Sequence, residues 1–113
     1  MRPSLILLLM LAGCTRSAPR GFDAAAPEGR IDAIVQAART SDRSAIPHLV
    51  ASLDADDPAV RFLAISALEH MTGQTFDYRF EAPPDERARA VTAWQQWTIA
   101  EGIAPATKEA SRP

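Results

Sequence analysis

Four segments of this chain place apolar residues three and four apart, the period of an amphipathic helix. The clearest runs from Asp57 to Gly73. In it Val60, Leu63, Ala64, Ala67, Leu68 and Met71 line one side, and Phe62 and Ile65 add apolar surface on an adjoining side. An apolar arc of that width needs neighbours in two directions. Both ends are marked. Asp57 is a good N-cap, because its carboxylate accepts from the free N–H groups of the first turn. Pro58 takes the first helical position, where its missing N–H costs nothing. Gly73 suits the left-handed residue through which a chain leaves a helix.

The pattern predicts one helix before this one, near Glu28–Arg39, with Ile31, Ile34, Val35 and Ala38 on its apolar side. After the polar turn Thr40–Arg43, a second helix starts at an Asp42 or Ser44 cap and runs to about Leu53. Pro47 falls in its first turn, where proline is tolerated. Its apolar positions Ile46, Leu49, Val50 and Leu53 repeat those of the first helix fifteen residues on, and those of the third follow fourteen residues later. A fourth helix is expected from Glu86 to Glu101, with Asp85 as N-cap and Gly102 as its stop. Val91, Trp94, Trp97 and Thr98 form its inner side. Between the third and fourth lies Gly73–Pro84. Phe76, Tyr78 and Phe80 alternate there as in a strand, but no second strand exists to pair with. An extended loop whose aromatic rings pack onto the helices is the expectation.

Amphipathic helices at so regular an interval, joined by short turns, are expected to lie antiparallel and to stack as a solenoid. The fold expected is therefore all-α, a short antiparallel helical solenoid of about four helices, with the tryptophan helix as its terminal cap. That cap is expected to close the third helix from the side opposite the second. The residues also carry a family resemblance. Ala45-Ile46-Pro47-His48-Leu49-Val50, an acidic turn, Asp57-Pro58-Ala59-Val60-Arg61, Ala64 and Ala67-Leu68 together resemble a HEAT repeat. The spacing of about 30 residues per helix pair is shorter than the ~40 of longer units. It is most similar to the short type also seen in phycobilin lyase-like proteins. The resemblance implies that Asp57 and Arg61 hold neighbouring units together through hydrogen-bonded ladders. Standing four apart, they also suit a simple pair along one helix.

The N-terminus changes the picture. Met1–Ser4 carries a single positive charge, and Leu5–Leu11 is a continuous apolar run. That run is too short to span a bilayer, which takes ~20 residues. It has the layout of a secretory signal. Leu11-Ala12-Gly13-Cys14 resembles the lipobox of bacterial lipoproteins. The resemblance implies a diacylglyceryl group on the Cys14 thiol and cleavage between Gly13 and Cys14. Two or three acyl chains anchor stably where one does not. Thr15, rather than aspartate, follows the cysteine. In Gram-negative lipoproteins this favours the outer membrane over the inner. Residues 1–13 are thus read as the signal peptide, 14–27 as the lipidated end and a flexible tether, 28–102 as the helical domain, and 103–113 as a disordered tail. Phe22 is the one residue of the tether suited to dock on something, and it is read as solvated in preference to docked.

Composition narrows the chemistry. The chain has 113 residues, 47% of them hydrophobic, which suits one small folded domain rather than disorder. Removing the first thirteen residues takes Arg2 away and leaves eleven basic residues against fourteen acidic ones, a net charge of −3. That balance argues against nucleic acid or anionic lipid headgroups as the main partner. The single cysteine forms no internal disulfide. His48 and His70 have no cysteine or second histidine at ligand spacing, so no metal site is expected. Asp54, Asp56 and Asp57 lack the glycine and distal glutamate of an EF-hand loop and read as a solvated turn. No nucleophile elbow or phosphate-binding glycine loop is present, and no cofactor is expected.

The expectation for function is a non-enzymatic, lipid-anchored cell-envelope protein. Its HEAT-like module would bind an envelope protein, with Phe76, Tyr78 and Phe80 as candidate contacts. Its membrane contact would be the lipid anchor. The rivals are an enzyme accessory of the phycobilin lyase-like kind, with a pocket lined by His70, Tyr78 and Arg79, and a structural lipoprotein associated with peptidoglycan.

Overall fold

The structure, a computed structural model, describes residues 21–103. The segment expected to be a signal peptide, Gly13, Cys14 and the tail beyond Ile103 lie outside them. The described part is all-helical, with α1 at Pro27–Thr40, α2 at Ile46–Ser52, α3 at Pro58–Thr72 and α4 at Pro84–Ala100. A single turn of 3-10 helix, Arg43–Ala45, leads into α2.

Local chemistry sets the ends. Asp57 Oδ1 accepts from the Ala59 N–H at 2.8 Å and so caps α3. At the other end Gly73 sits at φ 73°, and its N–H reaches Glu69 O at 2.8 Å. The end of α1 uses the same left-handed exit without a glycine. Ser41 takes φ 49°, and the Asp42 N–H closes back on Ala37 O at 3.1 Å. Asp42 then caps the 3-10 turn by accepting from the Ser44 N–H at 3.0 Å.

Helix α4 starts earlier than the Asp85 cap would require. Pro83 holds the capping position, with φ −56° and ψ 154°, and its carbonyl accepts from the Arg87 N–H at 3.1 Å. Pro84 forces its predecessor into extended backbone and itself suits the first helical position. Asp85 therefore falls inside the first turn, where its charge favours the helix dipole.

The core is continuous. Ile34, Ile46, Leu49, Leu53, Val60, Leu68 and Trp94 are its largest fully buried side chains. Each such burial contributes roughly 1.5–3 kcal/mol relative to exposure. The helices meet in an order the apolar stripes do not specify. Both α1 and α2 pack on α3, and α4 packs chiefly on α2. The tryptophan helix thus takes the second helix as its main neighbour instead of closing the third.

The Gly73–Pro83 connection contains no strand. Phe76 and Asp77 both take positive φ, 51° and 56°, in a turn closed by Tyr78 N–H to Thr75 O at 3.0 Å. Two consecutive left-handed residues break the alternation that a strand needs.

Candidate functional site

Four helix or loop side chains reach along the connection or out from it, and each ends on a carbonyl oxygen. Trp94 Nε1–H donates to Thr75 O at 3.1 Å. Tyr78 O–H donates to Leu53 O at 2.7 Å, in the buried interior. Arg61 Nε–H donates to Phe80 O at 3.0 Å, and Arg87 Nη1–H to Ala82 O at 3.0 Å. The connection is therefore held at both ends and in its middle.

Arg61 also reaches backward. Its Nη1 donates to Ala55 O at 2.8 Å and to Asp56 O at 2.9 Å. With 8% of its surface exposed, Arg61 joins the turn before α3 to the loop after it. No ion pair forms between Asp57 and Arg61; Asp57 faces the helix N-terminus and Arg61 faces carbonyls.

The three aromatic residues of the connection divide between core and surface. Tyr78 is buried among the core residues. Burial lifts its pKa above the ordinary 10.0, while Arg61 and Arg87 pull it back and Asp54 and Glu81 add to the rise. Phe76 is half-buried and meets Trp94 edge-on at 4.8 Å, with Trp97 beyond it at 6.5 Å. Phe80 is half-buried and meets Phe62 edge-on at 5.1 Å. Phe62 is 48% exposed. Phe62 is thus the most exposed ring of the aromatic residues, and Phe80 is its partner. Phe62 sits on a face of α3 the sequence marks as apolar, but only the folded loop brings Phe80 to it.

His70, Tyr78 and Arg79 do not converge. His70 lines an apolar groove of about 210 Å³ between α1 and α3, with Ile34, Val35, Ala38, Leu63 and Ala67. Arg79 is exposed and pairs with Glu81 at 3.3 Å, whereas Tyr78 points inward. Among the described residues no group of three metal-capable side chains gathers, and no helix is long and apolar enough to cross a membrane.

One contact has no signal in the apolar pattern. Phe22 lies against the imidazole of His48, ring centroids 4.9 Å apart and planes 7° from parallel. The tether reading left this ring in water; in the structure it packs on the core. Compared with protein-family models, with curated protein sequences and with solved structures, the chain matches none.

Proposed function

We propose that this chain is a lipid-anchored cell-envelope protein whose helical domain is a short HEAT-type solenoid serving as a protein-interaction module, without catalysis of its own. Leu11-Ala12-Gly13-Cys14 supports the anchor, and Thr15 favours the outer membrane. The fourteen- and fifteen-residue spacing of apolar sets supports the repeat.

The observation that carries the interaction reading is the Phe62–Phe80 pair. A half-exposed phenylalanine stands edge-on to a second ring whose own carbonyl is fixed by buried Arg61. Aromatic groups held rigidly at a surface lose little conformational freedom on binding, which is why interface anchors are enriched in them.

The test is chemical crosslinking in intact envelopes followed by capture of the wild-type chain and of Phe62→Asp. A protein crosslinked to the wild type and lost from the variant is the expected result, with circular dichroism establishing that the variant stays helical. Repeated captures without a partner, or with the same partners in both proteins, would sink the reading.

A further inference from the structure

Residues 21–26 precede the first helix but lie on the domain. Phe22 stacks on His48 of α2. The Gly21 N–H donates to Gly29 O at 3.4 Å, and the Ala24 N–H turns back to Gly21 O at 3.1 Å. Ala24 is buried. The segment forms one wall of a cleft of about 270 Å³, whose other walls include Arg30 of α1, Ser52 of α2 and Val60 of α3. This is a strap held to Gly29 at the start of α1 and to His48 of α2, facing the end of α2 and the start of α3 across the cleft.

We infer that the strap sets which side of the domain lies against the lipid surface. The inference rests on the lipid-anchor reading. With the strap docked, six residues separate Cys14 from Gly21. Even fully extended, the seven steps from Cys14 to Gly21 reach at most about 25 Å. Helix α3, with 15 residues, is about 22 Å long. Drawn taut, the leash only matches the length of α3, so the side bearing Gly21, Phe22 and Val60 stays turned to the bilayer. With the strap released, twelve residues separate Cys14 from Pro27. The thirteen steps then reach up to about 45 Å, twice the length of α3, and the domain is free to turn. Charge acts in the same sense. Arg16 and Arg20 are the only charged residues between Cys14 and Gly21, and both are attracted to anionic headgroups.

The experiment places the acylated full chain in nanodiscs of phosphatidylcholine and phosphatidylglycerol doped with a nitroxide-headgroup lipid. Paramagnetic broadening of backbone amides is then read by NMR. Val60 and Gly73 lie at opposite ends of α3, about 20 Å apart. The strap requires Ala24, Gly29 and Val60 to broaden several-fold more than Gly73. Phe22→Ala and His48→Ala should each bring that ratio toward one. Equal broadening along α3 in the acylated wild type overturns the inference alone, as does a ratio that neither substitution changes. An intact mass lacking acyl chains overturns both the inference and the anchor reading beneath it.

Discussion

The Arg61 Nε–H donates to Phe80 O across nineteen residues of sequence, at 3.0 Å. The same guanidinium holds the carbonyls of Ala55 and Asp56. One side chain thereby joins the turn that starts α3 to the loop that ends on the aromatic pair. Its fork supplies the donors in fixed directions, which a lysine ammonium cannot reproduce.

Removing Arg61 leaves three part-buried carbonyls without their donors. Arg61→Ala is expected to destabilise the domain by about 3 kcal/mol. Arg61→Lys is expected to recover less than half of that loss. Urea denaturation of the three proteins measures both. A loss below about 0.5 kcal/mol for alanine would show that water replaces the guanidinium freely.

Asp57 acts more locally. Its carboxylate serves one N–H of the first turn, so Asp57→Ala should cost about 1 kcal/mol, and Asp57→Asn only a few tenths. If Asn were as damaging as Ala, the charge rather than the cap geometry would be what α3 needs.

Tyr78 is the only tyrosine in the chain, which makes its ionisation readable by absorbance near 295 nm. Its folded pKa is raised by burial, so the fold favours the protonated phenol. The associated stability is fully present below about pH 10 and is lost as pH rises through the raised folded value. The phenolate also cannot donate to Leu53 O. Tyrosinate absorbance is expected to appear above pH 10 together with loss of helix signal. Tyr78→Phe should lower stability by about 1 kcal/mol at neutral pH and remove this part of the alkaline dependence. Ionisation near pH 10 with the fold intact would contradict the buried placement.

Ser41 occupies the left-handed exit of α1 at φ 49°. Glycine takes that backbone without the Cβ penalty. Ser41→Gly is expected to raise stability by up to about 1 kcal/mol, seen as a higher urea midpoint with an unchanged slope. A lower midpoint would mean that the serine makes a contribution outside its backbone angle.

How much of this was legible in the sequence follows from the range of each signal. The ends of α3 were readable because Asp57, Pro58 and Gly73 act within four residues of themselves. The core positions Ile34, Ile46, Leu49, Leu53, Val60 and Leu68 were readable from period alone. The start of α4 was misread because Asp85 is a good cap in isolation, while Pro84 restricts the residue before it and claims the first position. Of the helix partners, only α2 against α3 was readable, from the short turn that joins them. An apolar stripe declares that a face is buried and says nothing of what covers it, so α4 on α2 and α1 on α3 had no local signature. The same limit hid the Phe22–His48 stack, made by a lone ring outside any periodic segment. Of the aromatic cluster, the sequence supplied the members, and only the left-handed turn at Phe76 and Asp77 sorts Tyr78 to the core and Phe80 to Phe62.

The proposed function depends on the anchor at Cys14, and one measurement addresses it most directly. Cells expressing the full chain are fed an alkyne-tagged fatty acid, and the captured protein is examined for label and for membrane fractionation, beside Cys14→Ala. The wild type is expected to be labelled, cleaved before Cys14 and recovered with membranes. The variant is expected to be unlabelled and either unprocessed or soluble. Label that persists in Cys14→Ala, or a wild type that takes up none, would contradict the central claim.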